Sequence, residues 1–298
     1  MTGRSLRPGV TAALVMAVVG LLLVRVEGQG RNGGAGQRAQ AAPVPTPRTS
    51  DGHPDLSGMW GGGGGGGGEG GEETKPDASG NLSFLQKSRG CAPGATCAPG
   101  VNFERDNSIR RRMDPNKPLY KPELWEKVQY NDENQNTEDP TYRCMPNGVP
   151  RMGPPSKIVQ TPTELIFLYQ GGNTFRVVPI DGRPHDPIKA KDQTWMGDSV
   201  GRWDGDSLVV DVVGLTDDTW LTIAGYFHTN NMHVTERFRR DGNSLTWQAT
   251  VDDPEVLLKP WTMNARTMRL NRDPKASLIE DLPCDERDQA HLVTKEHH

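Results

Sequence analysis

The fold is decided by residues 199–213, which read SVGRWDGDSLVVDVV. Two short strands, Ser199–Trp203 and Ser207–Val213, flank the tripeptide Asp204-Gly205-Asp206. That tripeptide is a strong hairpin signal, because glycine adopts a positive φ at low steric cost. We therefore predict a β-hairpin here, and similar hairpins on both sides extend it into a sheet.

Further strand candidates follow at short intervals: 157–160, 164–169, 174–180, 232–240, 244–251, 261–270 and 276–281. The last two are expected to pair with each other. No long amphipathic helix interrupts the series, which predicts a mainly β domain, an antiparallel meander of about eight to ten strands. A sheet of that length usually curls shut, because closure removes its exposed edges. We expect an up-and-down barrel of the calycin, lipocalin-like type, with a two-sheet β-sandwich as the second choice.

The N-terminal region has a different character. Arg4 and Arg7 precede an apolar run, residues 10–24, and small residues follow. This is the pattern of a secretory signal peptide, and the run is too short for a comfortable membrane span. Retention as an N-terminal anchor is the alternative. We expect a periplasmic or secreted protein without stable membrane insertion after cleavage.

The composition divides the chain further. The expected segments are a signal peptide at 1–28, a disordered linker at 29–54, an arm at 55–139, the barrel domain at 140–286 and a flexible tail at 287–298. The arm combines a short strand at 55–60, a glycine-rich spacer and an irregular polar segment with one short helix at 122–128.

Net charge and cysteine content restrict the partners. A net charge of −4 argues against a nucleic-acid partner, since phosphate binding needs concentrated Lys and Arg. In an exported chain, cysteines favour disulfides. By economy we pair Cys91 with Cys97 and Cys144 with Cys284. Their spacings lack the paired knuckles typical of zinc sites, and a catalytic cysteine is a further alternative.

Glu236 stands out in the strand after Met232. Strand alternation places it on one face with Met232, Val234 and Phe238, which are apolar. Burying a carboxylate without a partner costs roughly several kcal/mol of folding free energy. We therefore expect Glu236 to be paired, protonated or in a hydrated cavity.

Four residues are candidates for catalysis. His228, His233 and Glu236 lie close together in sequence, and Asp198 follows the Trp195-Met196-Gly197 motif. A histidine held by a carboxylate is the usual acid–base unit near neutral pH. Two histidines with Glu236 would also suit zinc or non-haem iron, but the spacing is not that of a helical metal motif. We expect no metal and no cofactor.

A second set of residues is expected to bind a ligand. Tryptophans offer flat apolar surfaces at a barrel mouth, although some of them commonly fill the core. Polar residues near them could guard a cavity. The candidates are Trp195, Trp203, Trp220, Arg183, His185 and Arg237.

Several motifs together resemble a known family. They are residues 55–60, Tyr142 to Pro146, Asp181 to His185, the WMGDSVGRW motif at 195–203 and the HVxERF motif at 233–238. The chain resembles a family of uncharacterised, exported bacterial β-rich proteins over residues 140–286 and the early strand. The resemblance implies export, a single β-rich domain and no assigned reaction. Residues 229–232 lack an acidic residue frequent in that family, which weakens a metal site further.

Three functions follow from these observations. The leading hypothesis is an exported barrel that binds a small apolar or amphipathic molecule. The alternative is an enzyme, a hydrolase, lyase or isomerase, in which Asp198, His228, His233 and Glu236 converge in one pocket. A third is an envelope interaction module, which would carry an exposed apolar patch.

Overall fold

A computed structural model of the chain describes residues 44–61, 70–71, 117–281 and 284. The expected signal peptide, the first part of the linker, most of the glycine spacer, Cys91, Cys97 and the expected tail lie outside the described residues. None of the described helices is long and apolar enough to cross a membrane.

The described elements are mainly strands. Two helices, α1 (Trp125–Glu133) and α2 (Gln135–Glu138), precede the main series, with 3-10 turns at Pro122–Leu124, Pro140–Arg143 and Gly171–Asn173. The strands are β1 (Gly58–Gly61), β2 (Gly70–Gly71), β3 (Lys157–Gln160), β4 (Glu164–Tyr169), β5 (Thr174–Pro179), β6 (Asp198–Asp204), β7 (Ser207–Val213), β8 (His233–Asp241), β9 (Ser244–Asp252), β10 (Trp261–Met263) and β11 (Arg266–Leu270).

The strands form a nearly closed antiparallel barrel, which confirms the predicted barrel over the sandwich. Hydrogen-bonded neighbours follow the order β5-β4-β3-β1-β11-β9-β8-β7-β6, and β10 pairs with β9 and β2. Almost every strand therefore lies beside its neighbour in sequence, as in an up-and-down meander. The early strand β1 joins the two ends of the meander, because it pairs with both β3 and β11.

Strand parity explains why closure is incomplete. Eight antiparallel pairings link the nine strands of the ring, so its terminal strands β5 and β6 run in the same direction. They contact each other side by side. A parallel connection must cross from one end of the sheet to the other, and the connector at residues 180–197 does so. We call the contact between β5 and β6 the seam.

Two glycines allow close approach near the seam. A Cβ at Gly201 of β6 would lie 2.8 Å from Ile180 Cγ2 and 3.1 Å from Val178 Cγ1. Gly197 has a φ of 62°, and a Cβ there would lie 2.5 Å from the Val213 carbonyl oxygen. Gly197 therefore allows the backbone of Val213 to approach closely.

Large side chains fill the barrel. Trp247 and Phe238 are fully buried, and Phe167 packs on Phe238 with ring centroids 5.0 Å apart. Inward residues alternate with outward ones, as in β4, where Leu165, Phe167 and Tyr169 are buried. The barrel is thus a packed core over much of its length.

The C-terminal part differs from the prediction. Residues 261–270 form two strands rather than one, and residues 276–281 are not a strand. The edge of β11 that would have received them is occupied by β1, with Trp60 opposite Leu270. The chain after β11 instead reaches the turn before β5, where the Asp281 N–H donates to Asn173 Oδ1 at 2.7 Å.

The described residues of the expected linker and arm contact the barrel. In the expected linker, Arg48 contacts the turn between β6 and β7, where it forms two hydrogen bonds to Asp206 of 2.9 and 2.7 Å. The polar arm is helical over most of residues 122–143. Trp125 anchors it, being buried and edge-on to Tyr120.

The disulfide Cys144–Cys284 is present as predicted. Its sequence separation is 140 residues, so it joins the residues before the first hairpin to the end of the described chain. Disulfides are typical of proteins outside the reducing cytoplasm.

The first prediction concerns the seam. Gly201→Val should lower the free energy of unfolding by about 1–3 kcal/mol, because the new side chain overlaps Ile180 and Val178. Gly61→Val is the matched control, since a Cβ there meets nothing within 4 Å. Urea unfolding measures both variants, and equal stabilities would contradict the proposed close packing at the seam.

Candidate functional site

A buried ion pair lies inside the barrel. Arg176 of β5 donates from Nη2 to Glu236 Oε2 of β8 at 2.5 Å, and both side chains are almost completely buried. Trp247 Nε1 donates to Glu236 Oε1 at 2.9 Å. Of the three alternatives expected for Glu236, pairing is the one observed, and its partners are an arginine and a tryptophan.

Arg176 also contacts the strands beside it. Its Nη2 donates to the Tyr169 hydroxyl oxygen at 2.9 Å, and its Nη1 donates to Ser199 Oγ at 3.4 Å. Ser199 belongs to β6, so this last contact crosses the seam. The Arg176 Nε–H has no hydrogen-bond partner in the described part of the chain.

Electrostatics keep the Arg176 guanidinium charged. Burial alone would lower the pKa of Arg176, but the interactions with Glu236 and Tyr169 together outweigh burial, and the pKa lies above its ordinary value. Burial raises the pKa of the Tyr169 hydroxyl, which therefore stays protonated. The group is therefore a buried ion pair whose two charges lie side by side.

A second polar group lies on the outer face. His185 Nδ1 is 2.8 Å from Asp198 Oδ2, and its Nε2 is 3.0 Å from Asp211 Oδ2. Asp211 Oδ1 lies 2.5 Å from His233 Nε2. We call these four residues the His–Asp chain. They come from the connector, β6, β7 and β8, and they are partly exposed to solvent.

The His–Asp chain holds the connector against the barrel. The hydrogen bond from His233 holds the pKa of Asp211 at about 2, and the same bond raises the pKa of His233 above its ordinary value. Asp198 also accepts from the Asp186 backbone N–H at 3.1 Å. These contacts fix the connector to β6 and β7, so the His–Asp chain has a structural role.

The four candidate catalytic residues do not converge. Glu236 faces the barrel interior, whereas His233 and Asp198 lie on the outer face, because successive strand residues point to opposite sides. His228 is buried in the loop between β7 and β8, where burial lowers the pKa of its imidazole. Its Nδ1 lies 2.9 Å from the Thr229 carbonyl oxygen. The expected single pocket therefore does not form.

The same placement separates the alternative metal ligands His228, His233 and Glu236. Within residues 44–61, 70–71, 117–281 and 284, no group of three or more His, Cys, Asp or Glu side chains is arranged to hold a metal ion.

The expected ligand-binding tryptophans are dispersed. Trp220 is buried in the core. Trp203 stacks on His53 with ring centroids 4.7 Å apart and nearly parallel planes. Trp195 is half-buried just before β6, and its carbonyl oxygen accepts from the Val149 N–H at 3.1 Å. They do not surround one ligand.

The expected polar ligand-binding residues have local partners. Arg183 is exposed and pairs with Asp181 at 2.5 Å. His185 belongs to the His–Asp chain, and Arg237 lies on the outer face, 3.5 Å from Asp204. These positions do not guard a common cavity.

A cavity of about 330 Å³ lies at one end of the barrel, where β3, β5 and β6 begin. Met145, Met152 and Met196 line it, together with the turn before β5 and the disulfide. We call it the mouth cavity. Thr174 lines it and shares the inner face of β5 with Arg176, so the cavity lies on the side of the barrel where the ion pair is found.

Sequence reasoning missed several residues of these groups. Asp211 carried a signal, since it is the carboxylate inside an apolar strand. The pattern around Arg176 is misleading, because its neighbours Phe175 and Val177 are more apolar and yet are 63% and 43% exposed. The methionines of the mouth cavity stand in unrelated sequence contexts, and no spacing links them.

Comparison of the chain with family models, with curated proteins and with solved structures finds no match. The resemblance to exported bacterial β-rich proteins therefore stays a prediction.

The second prediction concerns the interior ion pair. Arg176→Met should lower the free energy of unfolding by about 3–5 kcal/mol, because it leaves Glu236 buried without its cation. The double variant Arg176→Met with Glu236→Leu should recover most of that loss. Chemical unfolding of both variants gives the coupling. A double variant less stable than the single one would contradict this account.

The third prediction is a pH dependence. A raised His233 pKa stabilises the fold below pH 6.5 and loses its effect as the pH rises through the folded value. A depressed Asp211 pKa stabilises it above 3.8 and loses its effect as the pH falls towards about 2. The pair thus contributes most to the free energy of unfolding between these limits. The difference in free energy of unfolding between the wild type and His233→Gln should shrink above neutral pH.

NMR titration of the histidine ring protons measures this directly. In Asp211→Asn the pKa of His233 should fall towards its ordinary value, while that of His228 stays unchanged as the internal control. An unchanged His233 titration in that variant would show that Asp211 does not hold the imidazolium.

Proposed function

We propose that this protein is an exported barrel that binds a small apolar or amphipathic molecule in the mouth cavity. The observation that carries the proposal is the cavity itself, a space of about 330 Å³ with three methionine side chains in its wall. Small-molecule sites are typically cavities of roughly this size or larger, at positions such as barrel mouths.

The chemistry of the wall suits such a ligand. Methionine is unbranched and polarisable, so it adapts to irregular apolar shapes. Polar groups from Thr141, Asn147 and the turn before β5 stand beside the methionines. A wall of this kind favours a molecule with an apolar body and one polar end.

The barrel supports the cavity as a rigid frame. Its interior is filled by Trp247, Phe238 and the Arg176–Glu236 pair, which supports a ligand site at the mouth rather than along the axis. The disulfide forms part of the wall and ties residues 144 and 284 together beside the cavity. Binding at a fixed wall requires little reorganisation.

Export is part of the proposal. The disulfide supports an oxidising compartment, and the apolar run at residues 10–24 after Arg4 and Arg7 supports a signal peptide. The periplasm or the exterior of the cell is therefore the proposed location.

The fourth prediction tests the proposed cavity with the neutral fluorescent probe N-phenyl-1-naphthylamine. The protein should bind it saturably, and Met145→Trp should weaken binding at least about tenfold by occupying the cavity. Met145 is 43% exposed, so the larger side chain fits without overpacking the core. Fluorescence titration gives both affinities.

Ile223→Trp is the control, because Ile223 is 60% exposed and does not line the cavity. Methyl-labelled methionine NMR locates the probe, which should shift the Met145, Met152 and Met196 signals and leave that of buried Met268 unchanged. Absence of saturable binding, or equal binding to Met145→Trp, would overturn the proposed function.

A further inference from the structure

We infer that Arg266 forms the centre of a second binding site, which takes the carboxylate group of a small organic acid. The site lies at the mouth end of the barrel, and Arg266 is not part of the lining of the mouth cavity. The two sites depend on different residues, so either can exist without the other.

The strand register turns Arg266 towards the inside of the barrel. Arg266 is the first residue of β11 and lies opposite Trp247 of β9, whose side chain is fully buried. Met268 follows on the same face and is buried as well. β11 runs in the same direction as β3, because both strands are antiparallel to β1. β11 therefore begins at the mouth end, and Arg266 lies on its inner face there.

A β-bulge gives Arg266 this direction. From Thr262 to Arg266 the chain advances four residues, while the facing strand advances three, from Thr250 to Trp247. The extra residue shifts the alternation of side chains. Without the bulge, Arg266 would share the outer face with Thr262, where water would solvate its charge.

The guanidinium of Arg266 has no partner among the described residues. Its Nε–H is buried and makes no hydrogen bond in that part of the chain. Burial lowers the pKa of Arg266, and no neighbouring charge offsets this effect. An arginine side chain nevertheless stays protonated in proteins, so the group is a partly buried cation without an anion.

The other buried or partly buried arginines of the described chain are all compensated. Arg176 is paired with Glu236, and Arg151 is paired with Asp139 at 2.7 Å. Arg237 lies 3.5 Å from Asp204, and Arg240 donates to the Gly242 carbonyl oxygen at 2.8 Å. Leaving a buried charge uncompensated is costly, so the contrast at Arg266 points to an anion supplied from outside the chain.

The surroundings of Arg266 indicate the class of that anion. The planar guanidinium matches the two oxygens of a carboxylate. One cation balances one negative charge, so a monocarboxylate fits better than a sulfate or phosphate dianion. The guanidinium lies against the backbone of Gly153, where an added Cβ would overlap Nη1, and Trp247 and Met268 share its face of the sheet. Such neighbours suit an acid with a small apolar body.

The fifth prediction is saturable binding of propionate at Arg266. NMR of the full chain, labelled with ¹⁵N-arginine, follows the Nε–H signal of Arg266 at neutral pH and constant ionic strength. Propionate should shift this signal and bind at least about tenfold more tightly than propanol, since the two probes differ mainly in charge. Propionate should also bind more tightly than sulfate.

Arg266→Met removes the charge and keeps a long side chain. It should weaken propionate binding at least about tenfold. Arg269→Met is the matched control, because Arg269 carries the same charge on the same strand but is exposed and donates to Ser244 Oγ. Its affinity for propionate should equal that of the wild type.

Thermal unfolding distinguishes a binding arginine from a structural one. Without propionate, Arg266→Met should melt at or above the temperature of the wild type, because the variant lacks the uncompensated charge. Added propionate should raise the melting temperature of the wild type and of Arg269→Met, and leave that of Arg266→Met unchanged.

Each contrary result has a definite meaning. If Arg266→Met fails to fold or melts well below the wild type, the guanidinium is held by the protein itself, and the site is overturned. Equal propionate binding by the wild type and Arg266→Met overturns it too. Propanol or sulfate binding as tightly as propionate would contradict the assignment to carboxylates. The mouth cavity is tested separately, by the binding of the neutral naphthylamine.

Discussion

Closure of the barrel at the seam depends on the ion pair between Arg176 and Glu236. The pair crosses the interior from β5 to β8, and Arg176 extends from there to Ser199 on β6. β5 and β6 are the first and last strands of the hydrogen-bonded order, and they run in the same direction. Side chains therefore hold together the one part of the ring where the backbone ladder stops.

The interior and the mouth of the barrel therefore have different roles. The interior is filled and electrically compensated, so it stabilises the frame instead of offering space to a ligand. On the outer face, the His–Asp chain also stabilises the frame, because His185 links the connector to Asp198 and Asp211. Free space remains at the mouth, where loops from distant parts of the chain meet under the disulfide.

The sequence predicted the strands well because strand alternation and turn chemistry are local. The hairpin of β6 and β7 and the seven-residue strand Ser207–Val213 illustrate this, since each depends on neighbours within a few residues. The pairing of residues 276–281 failed because β1, more than 180 residues earlier in the chain, occupies that edge. Long-range competition of this kind leaves no local trace.

The candidate site was less predictable for the same reason. Alternation separated His233 from Glu236 correctly in principle, yet their nearness in sequence suggested one catalytic group. On β5, alternation favours burying Phe175 and Val177, whereas the ion pair draws Arg176 inward and turns those apolar residues outward. The mouth cavity joins Met145, Met196 and Asp281, which come from distant parts of the chain and meet only in the folded barrel.

Hydrogen exchange of individual backbone amides tests most directly whether side chains close the seam. The double variant Arg176→Met with Glu236→Leu removes the charged link and keeps the interior apolar, so global unfolding and seam opening are separated. Amides of β5 and β6 should exchange at least about tenfold faster, while those of β8 and β9 keep their protection. Unchanged protection of β5 and β6, or uniform loss over all strands, would contradict closure of the seam by side chains.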